Sequence, residues 1–339
     1  MHNVTVVLLD DGFASTALMP IEIFHSAGGL WRELRGESPE PRFCVTTVSL
    51  NGGPVRSPYA GLMMTPQGAL DDVEQSDIVI IPTSGLALDE KLLENSALIP
   101  WLLKQYGMGA YLAGVCMGSA YLAEAGLLDG KRATTHWAVA PDLRRRYPRV
   151  HWREDMFVTE DSRLLCSGGV TAAADVSLYL VEKLCGHEIA VQTAKALLLT
   201  MPRTSQSGYA MLPLSPPHND DAVRGAEYLL QSKFAENVSV DHLASQVGMS
   251  SRTFLRRFKA ATGRLPGAYL QAVRVESAKA MLERDRGSVQ SIALAVGYED
   301  VSFFRSIFKR ATGMTPAEYR TQFAKLNVRN PDALNPGSA

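Results

Sequence analysis

The chain has 339 residues, 46% apolar and 20% charged, which is too long for one hydrophobic core and too ordinary in composition for a fibrous or disordered protein. Its net charge of −1 conceals an asymmetry: residues 1–220 carry 17 Lys/Arg against 24 Asp/Glu (−7), residues 221–329 carry 17 against 10 (+7), and the tail adds only Asp332. The opening apolar run is too short for a signal peptide or membrane span, and the four cysteines (Cys44, Cys116, Cys166, Cys185) form no C-x-x-C, so the expectation is a cytoplasmic protein of two domains with no disulfide framework, metal site, cofactor or membrane partner.

Val4–Leu9 is a continuous apolar run closed by Asp10-Asp11-Gly12, the pattern of a buried parallel strand. Residues 16–27 carry a helical pattern. Phe43–Leu50, Asp77–Pro82 and Met108–Val115 are further strand candidates, followed by Arg163–Ser167 and a long helix over Ala172–Cys185. Strands alternating with helices predict a parallel α/β sandwich. The last of the first four strands runs directly into Cys116-Met117-Gly118-Ser119 and a helix over Ala120–Ala125. A side chain on a tight strand-to-helix turn has the form of a nucleophile elbow, with helix N–H groups available to the thiol. A buried core cysteine is the alternative. The cluster Arg144-Arg145-Arg146 with Arg149 reads as a solvated helix end.

Residues 201–220, MPRTSQSGYAMLPLSPPHND, hold four prolines among serines and glycine and read as a linker. Asp221–Phe234 is a helix candidate. Ser239 then caps a short helix whose inward residues are Leu243, Ala244 and Val247; Gly248 breaks it, and another helix starts at Ser250-Ser251. This helix-turn-helix recurs with Ser288 as cap, Ile292, Ala293 and Val296 inward, Gly297-Tyr298 at the turn and Asp300 as the next cap. A phrase also repeats: Phe254, Phe258, Lys259, Ala261, Thr262, Gly263, Pro266 and Tyr269 return 50 residues later as Phe304, Phe308, Lys309, Ala311, Thr312, Gly313, Pro316 and Tyr319. Each copy reads as a helix, a glycine stop and a new helix opened by proline. Pro266–Arg284 is one longer helix setting the separation of the two units. With the phenylalanines inward, Arg252, Thr253, Arg256, Arg257 and Lys259 stay outside in the first unit, and Ser302, Arg305, Ser306, Lys309 and Arg310 in the second. Such faces suit phosphate and base-edge contacts in double-stranded DNA. The alternative is a helical bundle with a basic surface.

The stretches GVCMGSAYLAEAGLLDGKRATTHW (114–137) and LLCSGGVTAAADVSLYLVEKLCG (164–186) resemble the class I glutamine amidotransferase-like, PfpI-like superfamily, in the branch fused to transcription regulators. MPIEIFHSA (19–27) and Ile81-Pro82-Thr83-Ser84-Gly85 are similar to that superfamily's first helix and its donor loop. The resemblance implies a flavodoxin-like fold over roughly residues 3–200. It places Glu22, Ser84, Gly85, Cys116, Met117, His136 and Trp137 around one ligand pocket, with Cys116, His136 and Glu22 as vestigial catalytic candidates. Two departures weaken catalysis: Met117 stands where peptidase-like members carry histidine, and His187 is followed directly by Glu188 rather than in a His-x-Glu pair. A thiolate without a positioned base is a poor nucleophile. The expectation is a sensing domain and no enzyme; the alternative is a bifunctional protein with cysteine-dependent hydrolase or lyase activity.

LASQVGMSSRTFLRRFKAATG and IALAVGYEDVSFFRSIFKRATGMTPAEYR resemble the AraC/XylS family of transcription regulators across about residues 221–325. By that resemblance Ser251, Arg252, Thr253, Arg256 and Arg257 lie on a first recognition helix, and Ser302, Arg305, Ser306 and Lys309 on a second. They would reach successive major grooves roughly 34 Å apart. The resemblance also implies a homodimer through the amino-terminal domain, activation more often than repression, hence RNA polymerase as a partner, and a small effector such as an amino acid or amine, which Trp137 would face if cationic. The expected organisation is a sensing domain over 1–200, a linker over 201–220, a DNA-binding domain over 221–327 and a disordered tail over 328–339.

Overall fold

The structure, a computed structural model, describes residues 1–201, 203–210, 214–216, 218–284 and 287–324. The chain divides into two units, Met1–Ala210 and Met211–Ala339. The tail over 328–339 lies outside the described residues.

In chain order the first unit runs β1 (His2–Val7), α1 (Ser15–Ser26), α2 (Leu30–Glu33), β2 (Phe43–Ser49), β3 (Val55–Arg56), β4 (Met63–Met64), β5 (Gly68–Ala69), β6 (Ile78–Ile81), α3 (Leu88–Glu94), α4 (Leu98–Gly107), β7 (Tyr111–Val115), α5 (Ser119–Glu124), β8 (Arg132–Ala133), α6 (Ala140–Arg146), β9 (His151–Trp152), β10 (Val158–Asp161), β11 (Leu164–Ser167), α7 (Ala172–Cys185) and α8 (His187–Ala196). Seven strands make one sheet in the order β10-β11-β7-β6-β1-β2-β5. Every pairing in it is parallel except β10 with β11. The apolar runs anticipated in sequence are its middle. Val4, Val6, Val7, Ile78–Ile81, Leu112, Ala113 and Leu164–Cys166 are all buried, because helices cover both faces of a parallel sheet. α1 packs on α7, and α4 on α5. β7 lies centrally between β6 and β11, so its carboxyl end is flanked by those of both neighbours.

The described residues of the proline-rich stretch form no helix or strand before α9, yet its first half is not loose. The Arg203 guanidinium pairs with Asp175 on α7 at 2.6 Å and lies 4.1 Å above the Phe157 ring. Gln206 is 2% exposed, and Ser205 bridges to Met156. The first unit therefore runs to Ala210 rather than ending at residue 200.

Among the described residues the regular elements of the second unit are helices: α9 (Asp221–Ser232), α10 (Val240–Gln246), α11 (Ser251–Thr262), α12 (Pro266–Arg284), α13 (Val289–Ala295), α14 (Val301–Thr312) and α15 (Pro316–Phe323). Among the described residues it holds two small cores. One gathers Val223, Leu230, Leu243, Phe254, Phe258, Tyr269 and Val273; the other gathers Val275, Leu282, Ile292, Phe304, Ile307, Phe308 and Tyr319. α12 feeds both, and so acts as the strut between them. At its middle, buried Arg274 donates to the carbonyls of Phe234 (2.7 Å) and Glu236 (3.1 Å) and lies 5.1 Å from the Tyr298 ring. One side chain thus ties the exit of α9 to the turn of the second module.

The repeated phrase is a repeated geometry. Phe258 meets Tyr269 edge-on with ring centroids 5.4 Å apart, and Phe308 meets Tyr319 at the same distance. Gly263 and Gly313 end α11 and α14 with φ of 75° and 78°, the left-handed region where glycine carries no Cβ penalty. The preceding threonines donate to the carbonyls of Phe258 and Phe308, at 2.8 Å each, and accept from the N–H groups of Arg264 and Met314 at 3.2 Å. Thr-Gly is therefore a helix stop built from one hydroxyl and one missing Cβ. Thr315 and Glu318 close the capping box expected at α15.

Candidate functional site

Cys116 sits at the carboxyl end of β7 with φ 55°, a conformation costing a non-glycine residue about 1–3 kcal/mol. Neighbouring glycines make the turn possible. A Cβ on Gly114 would lie 2.6 Å from the Ser119 nitrogen, and one on Gly118 would lie 2.1 Å from the Ile81 oxygen. Two hydroxyls hold the strained peptide: Ser119 and Thr135 donate to the Cys116 carbonyl at 2.8 and 2.9 Å. The elbow expected from sequence is therefore present.

Its chemistry is that of a protonated thiol. Cys116 and Met117 are 7% and 3% exposed. Burial pushes the Cys116 thiol up to about 11, outweighing the opposite pull of the Met117 and His136 N–H groups and the Thr83 hydroxyl. His136 is half-buried, and burial lowers its pKa. Its Nδ1 accepts from the Ala138 N–H at 3.1 Å, so the neutral ring carries its proton on Nε2. The ring stacks on Trp137 at 5.2 Å and packs against Gly169. With burial raising the thiol and lowering the imidazole, both groups are neutral near pH 7.

The donor loop is fixed from below. The Ser84 hydroxyl is 2.5 Å from the Tyr121 hydroxyl, which also accepts from the Asn95 amide at 3.0 Å. Buried Lys91 binds Asp11 and Glu94 at 2.7 Å each. Gly85, at φ 98°, lies against Asp11. Ser84 is thus engaged in supporting the loop.

Glu22 departs from expectation. It is exposed on α1, whereas the buried stripe of that helix is Thr16, Ala17, Pro20, Ile23 and Phe24. The α1 residue that reaches the donor loop is Thr16, whose hydroxyl accepts from the Thr83 N–H at 3.3 Å. The helical period already puts residue 22 off the stripe of 16, 20, 23 and 24. Arg203 and Gln206 were missed because prolines dominate their surroundings. The Gln206 amide donates to Thr135 O (2.8 Å), Met156 O (3.0 Å) and Thr134 Oγ1 (3.2 Å). Gln206 is thus one residue removed from the strained Cys116 carbonyl through Thr135.

The basic cluster at the end of α6 and just beyond it is spoken for, since Arg144, Arg145, Arg146 and Arg149 pair with Glu154, Asp142, Asp89 and Asp129.

In the second unit, Asp300 caps α14 and Ser250 caps α11, so each second helix starts rigidly after its turn. Arg252, Arg256 and Lys259 are exposed on α11, and Ser302, Arg305, Ser306 and Lys309 on α14. Three expected contacts are engaged within the fold. Arg257 grips Asp220, the cap of α9, at 2.8 and 2.9 Å, so it braces the module. Ser251 hydrogen-bonds Asp241 on α10. Thr253 is half-buried, 3.0 Å from the capping Ser250 hydroxyl. Phe303, 54% exposed at the start of α14, was not singled out in sequence because Phe304 beside it fills the core position.

The comparisons with known proteins agree with both halves. The DJ-1/PfpI family model matches residues 6–183, more than half of the chain, and a helix-turn-helix domain model matches residues 243–322. The HTH-type transcriptional regulator CdhR of Pseudomonas aeruginosa is 27% identical over 86% of this chain and 84% of its own length. The isonitrile hydratase of Pseudomonas putida is 35% identical over 38% of this chain and 55% of its own. The crystal structure of Drosophila melanogaster DJ-1beta superposes with a TM-score of 0.50 at 24% identity, covering 59% of this chain and 98% of that one, a likeness of fold. Among the described residues no helix is long and apolar enough to cross a membrane. The chain belongs to the DJ-1/PfpI family, in the branch whose members carry an AraC-type helix-turn-helix domain, and it is a DNA-binding transcriptional regulator.

Proposed function

We propose that this regulator is controlled by a small molecule bound non-covalently in the crevice above Cys116, and that the first unit is a sensor rather than an enzyme. The observation that supports this most is the protonation state of the elbow. Cys116 is held near 11, burial lowers the His136 pKa, and Glu22 is exposed, so the α1 side chain that reaches the donor loop is the uncharged Thr16. The Thr83 hydroxyl and the Met117 and His136 N–H groups stand at a neutral thiol, and Trp137 lies on the His136 ring, polar and aromatic groups that suit a small polar metabolite such as an amino acid or an amine. In this reading Met1–Ala210 senses, the proline-rich stretch after Ala210 links, and the helical unit reads DNA through Arg252, Arg256, Ser302, Arg305, Ser306 and Lys309. It works as a cytoplasmic homodimer that recruits RNA polymerase as an activator.

The experiment is a thermal-shift screen of metabolites on the full chain, followed by operator footprinting with and without the hit. The expected result is a compound that raises the first unfolding transition and changes promoter occupancy, with both effects kept in Cys116→Ala. The isonitrile hydratase likeness sustains the second reading, a retained cysteine-dependent activity. Turnover of an isonitrile, amide or ester that vanishes in Cys116→Ala would replace the sensor by an enzyme.

A further inference from the structure

The two reading helices are copies in sequence but not in what they offer DNA. At the third position of α11 stands Thr253, half-buried and hydrogen-bonded to its cap. Fifty residues on, at the third position of α14, stands Phe303. It is 54% exposed, while the ring beside it, Phe304, is fully buried with Ile307 and Phe308. Leaving half a phenyl ring in water forgoes burial that the fold could otherwise use. Phe303 is also held in place. The Asp300 carboxylate accepts from the Ser302 and Phe303 N–H groups at 2.7 and 3.1 Å, and the ring leans on Tyr298 with centroids 6.0 Å apart. What it presents is a rigid apolar surface at the amino-terminal turn, the part of a recognition helix that meets base edges.

The surroundings choose the occupant. Ser302, Arg305, Ser306, Lys309 and Arg310 are exposed around and beyond Phe303 on this helix, and no carboxylate occurs in sequence between Asp300 and Glu318. A basic rim around one apolar residue matches a polyanion that carries an apolar group within reach. In the major groove that group is the thymine 5-methyl, the apolar feature of its base edges. We propose that Phe303 is a specificity-determining residue that reads a thymine methyl in the half-site bound by α14, and that the half-site bound by α11 has no counterpart of this contact.

The test uses the full chain and an operator selected from random duplexes. Each thymidine is replaced singly by deoxyuridine, which removes the methyl and leaves pairing unchanged. For the native chain, one or two substitutions within one half-site should weaken binding about three- to tenfold, the scale of one to two buried methyl-sized contacts. Phe303→Ala should bind the unmodified operator about three- to tenfold more weakly and lose its sensitivity to deoxyuridine at those positions. Phe303→Leu, which keeps an apolar surface, should retain part of that sensitivity. Both variants should keep the native salt slope, which shows that the module is folded and its phosphate contacts stand. Phe303→Ala binding the operator as well as the native chain would overturn the proposal and turn this ring toward a protein partner. Equal deoxyuridine sensitivity in native chain and Phe303→Ala would overturn it as well. If no duplex is selected at all while Arg256→Ala behaves as the native chain, it is DNA binding itself that fails.

Discussion

Removing the Arg203 side chain should unfasten the first unit at its exit. The Asp175 side chain is 4% exposed and that of Arg203 28%. The carboxylate receives the Arg203 Nε at 3.2 Å, Nη2 at 2.6 Å and the Arg203 backbone N–H at 2.7 Å. In Arg203→Ala only the backbone donor remains, so a buried charge is left mostly uncompensated. Breaking a buried pair from one side costs about 3–5 kcal/mol, and the partial exposure of Arg203 puts this case near 3 kcal/mol. For a unit of this size that lowers the melting temperature by roughly 6–12 °C. All four tryptophans, Trp31, Trp101, Trp137 and Trp152, lie in the first unit, so intrinsic fluorescence isolates its transition. The double variant Arg203→Ala/Asp175→Ala should recover part of the loss, because it removes the stranded carboxylate. Chymotrypsin should also cut faster at Tyr209 in Arg203→Ala under native conditions. A loss below about 1 kcal/mol with no recovery in the double variant would refute the view that 203–210 is part of the first unit's fold.

Four further outcomes follow from the two sites. Iodoacetamide at pH 8 should label exposed Cys44 well before buried Cys116, and Cys116 labelling should climb about tenfold per pH unit towards 11. The raised folded pKa makes stability full below the thiol's ordinary 9.0 and lost as pH rises through 11, a loss that Cys116→Ala should lessen; a labelling rate that levels off below pH 8 would mean an activated thiolate and revive catalysis. On the DNA side, Arg256→Ala should weaken operator binding by about 1–3 kcal/mol and lower the salt slope by about one if it meets phosphate. Arg257→Ala should instead chiefly lower the stability of the second unit. That effect fades as pH falls through the depressed pKa of Asp220, which the Arg257 hydrogen bond lowers, and equal losses of DNA affinity in the two variants would contradict the bracing role.

Much of this organisation is legible from local pattern. Val4–Leu9 and Asp77–Pro82 read as buried strands because both faces of a parallel strand are covered, which leaves a run of apolar residues with no alternation. The phrase from Phe254 to Tyr269 and its copy specify helix, stop and restart through residues whose effects act within one turn. The elbow at Cys116 is visible from Gly114 and Gly118, whose missing Cβ atoms are what the turn needs.

What sequence did not decide concerns side chains whose partners lie far along the chain. Arg257 looks like one more cation on a basic helix, yet Asp220, 37 residues earlier, takes it. Gln206 and Arg203 look like linker, yet Thr135, Met156 and Asp175 hold them. The state of the Cys116 thiol could not be read from residues 114–119 either. The helix and the N–H groups beside it argue for a low pKa, and burial by the whole sheet and its helices overrides them. The sequence by itself determined the central strands, the helices of the second unit and the repeat, because periodicity, caps and glycine stops are short-range. Only the tertiary structure decided which polar groups are consumed in holding the fold and which are left to meet a ligand or DNA, because burial and pairing are set by the sum of distant contacts.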